Sequence, residues 1–347
     1  MTKSKIFVNG RSIRQQMIGL NRYTIEVTKR LGDKVQLLLP SGKAKLGRGI
    51  IWEQAYLPTR IKKNELLWSP ANTGPLLEFN QVVTIHDVIP LEHPEWFTRM
   101  YSDWYRFLLP RLVQRVQKII TDSEYSKNKI TDLLNVSEDK IIVIPGGVGK
   151  EYHPVNSNML SHVKSMYVES SNYLLVVGTI EPRKNLKRLL RSWQLICNDY
   201  RDIQLIIVGV EANSARSVDM PLTVKSTSLL GYVDDQHLPA LYSGAIALIF
   251  PSVYEGFGLP ALEAMACGTP VLASNATSLP EVVGDAGLLF DPYDIDDMSS
   301  SIERIITDSD LRETLQLKGL ERAKQFTWER TASLVWEVLS QTASDIK

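Results

Sequence analysis

Two glutamates with seven residues between them bracket the stretch Glu255-Gly256-Phe257-Gly258-Leu259-Pro260-Ala261-Leu262-Glu263. It follows an apolar run, Ala245-Ile246-Ala247-Leu248-Ile249-Phe250, that reads as a buried strand. Two glycines within three residues let the backbone come close to a ligand. Pro260 suits the first position of a helix, where a missing N–H costs nothing, and Gly268 stops that helix after 261–267. The helix start then offers unpaired N–H groups and the positive end of a dipole, a setting that suits a diphosphate. Carboxylates accept hydrogen bonds from neutral sugar hydroxyls, so two of them flanking an anion site suggest a ligand with both sugar and phosphate parts. A helix-start proline and an acidic first turn are also ordinary capping features, and the loop alone leaves both readings open.

A counter-charge stands elsewhere. The strand 173–177 leads into Gly178-Thr179-Ile180-Glu181-Pro182-Arg183-Lys184-Asn185-Leu186, followed by a helix with Leu189, Leu190 and Trp193 on one face. Arg183 and Lys184 thus sit at a strand end just before a helix, where side chains point into the ligand crevice of an α/β fold. A leaving diphosphate needs such cations, and they do not have to be delivered by a metal. A solvated basic turn is the other reading. Asp294-Ile295-Asp296 spells the acidic pattern of metal-dependent transferases, but it opens a helix beyond Leu288-Leu289-Phe290 and reads as capping acids. Cys197 and Cys267 form neither a disulfide framework nor a metal spacing and read as buried free thiols.

The elements that position these residues alternate along the chain. Strands are expected at 5–9, 35–39, 82–85, 118–121 and 140–144, then at 173–177, 203–208, 228–230, 246–250, 270–273 and 287–290. Most are continuous apolar runs, the mark of strands buried on both faces. Helices are expected at 17–31, 99–116, 125–134, 184–198, 235–243, 260–267, 296–307, 310–325 and 328–343. Alternating β and α means a parallel, doubly wound sheet, and two series mean two domains. The composition shifts to Asn, Ser, His and Met across 151–172, which sets the domains at 1–165 and 166–327, with a closing helix in 328–347. Two such domains facing each other place a cleft at the carboxyl ends of both sheets.

At 347 residues the chain is long for one domain and comfortable for two. Hydrophobic content of 44% and charged content of 22% are those of a globular protein with a sizeable core in each half. No run of about 18 apolar residues is present, and the first residues show no leader pattern, so the expected location is cytoplasmic. A net charge of zero hides an asymmetry: residues 1–165 carry 24 Lys+Arg against 15 Asp+Glu, and the remainder reverses it. Part of the excess falls on 99–118, where Arg99, Arg106, Arg111, Arg115 and Lys118 interleave with Tyr101, Trp104, Tyr105, Phe107, Leu108 and Leu109. That stretch suits peripheral contact with the inner face of an anionic membrane, or equally a core helix with a solvated basic face. No recognition motif accompanies the charge, so no nucleic-acid partner is expected.

Taken together, the motifs carry a family resemblance. EGFGLPALEAMACGTPV resembles the paired-glutamate motif of the retaining GT-B glycosyltransferases of family 4, in its mannosyltransferase-like subgroup. GTIEPRKNLKRLL resembles the first strand–turn–helix of that family's donor domain, and LLGYVDDQHLPALYSGA its nucleobase-pocket segment. TIHDVIP, TDSEYSKNKI and VIPGGV look like landmarks of its N-terminal domain, and FTWERTA like its closing helix. The resemblance implies the GT-B fold: two Rossmann-like domains across a cleft, the first for the acceptor, the second for the nucleotide sugar, with the last helix returning to the first.

Position by position, the resemblance implies that Glu263 binds the ribose hydroxyls and Glu255 holds the sugar near its 3-hydroxyl. The N–H groups of Phe257, Gly258 and Leu259 would cradle phosphate and sugar, and Lys184 would contact the diphosphate. Thr179 stands where many members carry an arginine, and Arg183 is the candidate replacement. Backbone groups of Tyr232 and Val233 would meet the base, and His86 would reach toward the sugar; a histidine beside Asp87 also reads as structural. Gly19-Leu20-Asn21-Arg22-Tyr23 corresponds to the glycine-rich loop of the first domain, with Asn21 in place of a second glycine. Implied as well are retention of configuration by front-face attack, a GDP-mannose or UDP-hexose donor, a glycan or lipid-linked acceptor in polysaccharide synthesis, and no cofactor or metal. A sugar-nucleotide-binding protein without turnover and a phosphorylase of the same architecture are the alternatives.

Overall fold

A computed structural model describes residues 5–14, 18–41, 46–170, 172–211, 215–216 and 224–346. Residue 17, the expected start of the first helix, lies outside the described residues. The chain forms two compact units. The first comprises residues 1–94, 99–147 and 328–347, and the second 95–98 and 148–327.

Each unit is built on one six-stranded sheet. The first holds β1 (Ile6–Asn9), β2 (Gln36–Leu38), β3 (Leu66–Ser69), β4 (Gln81–Thr84), β5 (Lys118–Thr121) and β6 (Ile141–Val143), in the order β2-β1-β3-β4-β5-β6. The second holds β7 (Asn172–Val177), β8 (Ile203–Val208), β9 (Thr227–Gly231), β10 (Ala247–Phe250), β11 (Val271–Ser274) and β12 (Gly287–Phe290), in the order β12-β11-β10-β7-β8-β9. Every pairing is parallel. Parallel strands need crossovers, and the helices that supply them cover both sheet faces. That is why Leu66, Leu67 and Trp68, or Leu174 and Leu175, are fully buried with no alternation along the strand.

β3 is the one strand that the periodicity of the chain does not announce. Its apolar run is three residues long and ends at Ser69-Pro70. The helix Leu186–Ile196 shows the opposite case: Leu186, Leu189, Leu190, Trp193 and Ile196 recur at helical spacing and all are buried. At roughly 2 kcal/mol for each large side chain, that stripe fixes which face of the helix meets the sheet.

The junction falls at Gly147/Val148 rather than at 165/166. The helix Ser157–Tyr167, absent from the expected elements, explains the difference. Its Val163 packs in a cluster with Tyr152, Tyr173 and Leu241, so this polar-looking segment belongs to the core of the second unit. The helix Trp328–Asp345 belongs to the first unit. There Trp328 is buried with its ring 6.0 Å from that of Tyr23, and Thr331 Oγ1 donates to Pro145 O at 2.8 Å.

The strand orders fix where each unit can bind a ligand. In an open parallel sheet the crevice opens where the order reverses, at the carboxyl ends of the two strands concerned. In the first unit those strands are β1 and β3. In the second they are β7 and β10.

Candidate active site

The turn after β7 and the loop after β10 carry the residues singled out above. A 3-10 turn, Pro182–Lys184, ends at Asn185 in the left-handed region (φ 56°), and the helix Leu186–Ile196 follows at once. Asn185 tolerates this conformation and uses its amide as a clamp: Nδ2 donates to Pro251 O at 3.1 Å and Pro292 O at 2.7 Å. Val253 N–H donates to Arg183 O at 2.8 Å, so turn and loop are joined through the backbone as well.

Between them lie four buried or largely buried charges. Lys184 Nζ donates to Glu255 Oε1 at 2.6 Å, and Arg183 Nη1 donates to Glu255 Oε2 at 2.6 Å. Arg183 Nη2 lies 2.6 Å from Glu181 Oε1, and the Thr179 hydroxyl donates to that same oxygen at 2.6 Å. Arg183 Nη1 also donates to Tyr254 O at 3.2 Å. The ammonium of Lys184 lies 4.9 Å from the centre of the Phe250 ring. Gly178 allows that approach, because a Cβ there would stand 3.2 Å from Lys184 Cε.

Burial pushes the Glu255 carboxyl upward, but Arg183 and Lys184 outweigh it and hold the group at about 2. Glu255 is therefore an anion at any working pH, an acceptor and not an acid. Burial, and then the neighbouring Arg183, lower the Lys184 ammonium from its ordinary value against the pull of Glu255 and Glu181.

The loop itself is anchored from the next strand. Glu255 N–H donates to Thr277 Oγ1 at 3.0 Å, and Ser278 Oγ donates to the carbonyls of Glu255 and Phe257 at 2.9 Å each. Gly258 caps the following helix with φ 120°, and a Cβ there would stand 2.7 Å from Leu279 Cδ2. The helix runs Leu259–Ala266, so Pro260 is its second residue and not its first. Glu263 lies one turn further on, buried, and accepts from the Tyr242 hydroxyl at 2.9 Å. Burial and then Glu263 hold that hydroxyl well above the ordinary tyrosine range.

The structure thus brings Arg183, Lys184 and Glu255 into direct contact and joins Thr179 to them through Glu181. Phe257, Gly258 and Leu259 form the loop end and helix start. Tyr232 and Val233 follow β9 and the left-handed Gly231 (φ 69°), Tyr232 exposed and Val233 buried. Asp294 accepts from Asp296 N–H and Asp297 N–H at 2.9 and 3.1 Å, which is a helix cap. Among the described residues no three His, Cys, Asp or Glu side chains gather as metal ligands.

His86 and Gly19 belong to the first unit. His86 follows β4 and is buried. Its Nδ1 faces Asp122 Oδ2 at 2.5 Å, and its Nε2 faces Pro70 O at 2.9 Å. Both partners are acceptors, so both ring nitrogens must donate, which makes the ring an imidazolium. Burial opposes that charge, but Asp122 overcomes it, and the histidine lies above its ordinary 6.5. The Tyr23 ring packs edge-on against it at 4.7 Å. Gly19 sits exposed in the first turn of the helix Ile18–Leu31, so Gly19–Tyr23 is helix and not a glycine-rich loop.

Sequence reasoning missed Glu181, Asn185, Thr277, Ser278, Tyr242 and Asp122. Asp122 follows β5, Glu181 and Asn185 follow β7, and Thr277 and Ser278 follow β11, so their place after strand ends was a usable signal. Tyr242, inside the helix Leu238–Ser243, carried none.

Residues 161–322 match the family described as "Glycosyl transferases group 1", and residues 66–152 match "Glycosyltransferase Family 4". O-antigen chain mannosyltransferase B of Escherichia coli is 37% identical over 254 residues, covering 72% of this chain and 67% of that protein. The chain belongs to glycosyltransferase family 4. This glycosyltransferase is also 29% identical over 281 residues to the serotype-specific mannosyltransferase WbdA of Escherichia coli, spanning 77% of its own length and 34% of WbdA. Among solved structures, Anabaena Alr3699/HepE in complex with UDP-glucose superposes with a TM-score of 0.78 at 18% identity, over 97% of this chain and 99% of that one. The fold is GT-B, as the motifs implied. The four-charge cluster of the glycosyltransferase lies wholly inside the 161–322 match.

Proposed function

We propose that this glycosyltransferase moves a hexose, mannose first among them, from a nucleoside-diphosphate sugar to a glycan or lipid-linked acceptor in polysaccharide synthesis, with retention of configuration and without a metal. The observation that carries the reading is the cluster of Arg183, Lys184, Glu255 and Glu181 at the reversal between β7 and β10, beside the helix start at Gly258 and Leu259. Mannose and the polysaccharide setting are supported by the two mannosyltransferase relatives. GDP-mannose is the favoured donor and a UDP-hexose the second.

In this reading the bond between the anomeric carbon and the diphosphate oxygen breaks, and the electron pair leaves on the diphosphate. Arg183, Lys184 and the N–H groups of Phe257, Gly258 and Leu259 stabilise that charge. Thr179 acts through Glu181, which holds Arg183 in place. Glu255 accepts a sugar hydroxyl near position 3, and Glu263, oriented by Tyr242, accepts from the ribose. The backbone of Tyr232 and Val233 meets the base. The acceptor oxygen attacks from the face that the diphosphate leaves, and its proton goes to the departing phosphate oxygen. His86, fixed between two acceptors, serves as a buried cation and not as a proton carrier.

The test is a thermal-shift series with GDP, UDP, dTDP and ADP, followed by NMR of the product made with the matching sugar. One nucleotide raises Tm, Lys184→Ala abolishes the rise, and the product keeps the donor's anomeric configuration in the presence of EDTA. No response to any nucleotide, or an inverted product, sinks the reading.

A further inference from the structure

We propose that the apolar cavity of the first unit holds the hydrocarbon chain of a phosphate-headed lipid, the carrier of the acceptor sugar. The proposal rests on the reading above for the transfer itself and on the cavity for the lipid.

The cavity has a volume of about 810 Å³ and is walled by Gly47, Ile50, Met100, Tyr101, Trp104 and Phe107, with Arg11 and Arg99 as its cations. Close-packed interiors leave few voids larger than a water molecule, whereas small-molecule sites run from about 300 to 1,000 Å³. This space therefore has the size of a ligand site. Its wall has aliphatic and aromatic surface and few hydrogen-bonding groups, and the Tyr101 hydroxyl already donates to that of Tyr105 at 3.2 Å. A sugar seated there would leave its hydroxyls unpaired, at a cost of about 1–3 kcal/mol each, while a hydrocarbon chain has nothing to satisfy.

Position points the same way. Arg11 follows β1, and its Nη2 donates to Thr73 Oγ1, after β3, at 2.6 Å, while Nε lies 3.1 Å from Glu53. The cavity thus opens where the first sheet reverses its strand order, at the carboxyl ends where such sheets bind ligands. The Arg99 side chain is 93% exposed, and Arg48 and Arg106 are exposed on the same two helices, Leu46–Ile51 and Arg99–Arg115. The acid in the wall is Asp103, 3.6 Å from Arg99. A phosphate head at this mouth meets the Arg99 guanidinium, whose ion pair with Asp103 is solvent-exposed and therefore weak. Met100 and Phe107, both substantially exposed, continue the apolar surface outward from the mouth. The basic-aromatic run of 99–118 is thereby accounted for: Leu108, Leu109, Leu112 and Val113 build the core, and the other face serves the lipid.

Gly47 gives a clean test. A Cβ there meets nothing within 4 Å, so Gly47→Trp fills the cavity without a clash at its attachment. Met100→Glu places a charge at a position already open to water and guards against a folding artefact of the first variant. Dodecyl phosphate is titrated onto the full chain by calorimetry below its micelle concentration. Binding of one molecule per chain is expected, weakened at least tenfold in both variants, with dodecanol at least fivefold weaker and inorganic phosphate silent. The proposal is overturned if dodecyl phosphate does not bind, if it binds both variants as well as the native chain, if dodecanol matches it, or if inorganic phosphate binds equally. Displacement by vesicles of anionic phospholipid at equal lipid concentration would assign the cavity to bulk membrane lipid and likewise overturn it. The nucleotide-induced rise in Tm stays intact in both variants. If that rise is missing from the native chain while dodecyl phosphate binds, the transfer reading falls and the lipid site stands.

Discussion

Lys184 and Glu255 are 71 positions apart in sequence, yet Lys184 Nζ donates to Glu255 Oε1 at 2.6 Å, with both side chains buried. The contact exists because β7 and β10 are neighbours at the point where the sheet reverses its order. It ties a cation suited to a leaving diphosphate to a carboxylate suited to a sugar hydroxyl.

Removing either partner should cost stability as well as turnover. Glu255→Ala leaves Lys184 and Arg183 facing each other in the interior, with an expected loss of about 3–5 kcal/mol in urea unfolding. The pair of substitutions Lys184→Met and Glu255→Leu should recover a large part of that loss and remain inactive. A double variant no more stable than Glu255→Ala would show that the charges are not coupled as described.

The pH limbs follow from the shifted groups. Glu255 is held at about 2 from an ordinary 4.5, so its stabilising contribution is complete above about 4.5 and is lost as pH falls toward 2. Native protein should lose stability through that window, and Glu255→Gln should lose less. Lys184 lies below its ordinary 10.5, so kcat/KM should fall on the alkaline side before 10.5. Lys184→Arg, which keeps its charge, should move that limb upward or erase it, as a rate profile will show.

Tyr242 orients Glu263 through one buried hydrogen bond. Tyr242→Phe removes about 1 kcal/mol of positioning, read as a donor KM roughly fivefold higher with kcat nearly unchanged. Equal falls in kcat and kcat/KM would place the hydroxyl in the chemical step instead.

The imidazolium of His86 depends on Asp122. Its folded value lies above the ordinary 6.5, so the pair's contribution is full below 6.5 and disappears as pH rises through the folded value. Asp122→Asn should therefore destabilise by about 3 kcal/mol at pH 6, and the gap to native should narrow at higher pH. Nitrogen-15 NMR of the ring will show two protonated nitrogens near neutral pH; a single one contradicts the assignment.

Much of the second unit was legible because its strands are long apolar runs that need no partner to be noticed. Leu174 and Leu175, or Ala247 through Phe250, could hardly be anything but buried strand. The cations and carboxylates were equally visible, since their types and their places after strand ends suit an anion and a sugar, although capping and a solvated turn use the same residues. That Glu255 would itself occupy Arg183 and Lys184 was not legible, because the strand order that brings them together is a property of the sheet. β3 escaped because three residues give no period. The helix Ser157–Tyr167 escaped because Val163 is its single fully buried residue, too little to set a stripe. Glu181, Thr277 and Ser278 act on neighbouring side chains and on backbone, and their types fit any turn.

The chain leaves the first unit after Gly147 and re-enters it at Trp328, and the two passages touch: Val148 N–H donates to Phe326 O at 3.0 Å, and Val148 bridges to Thr327. Residues 148–327, the bulk of the second unit, are thus an insertion within the first, closed at its neck. During synthesis on the ribosome the residues of the second unit are all available before the first can acquire Trp328, the partner of Tyr23. The unit begun first is completed last, and until residues 328–345 emerge Tyr23 lacks its contact with the Trp328 ring.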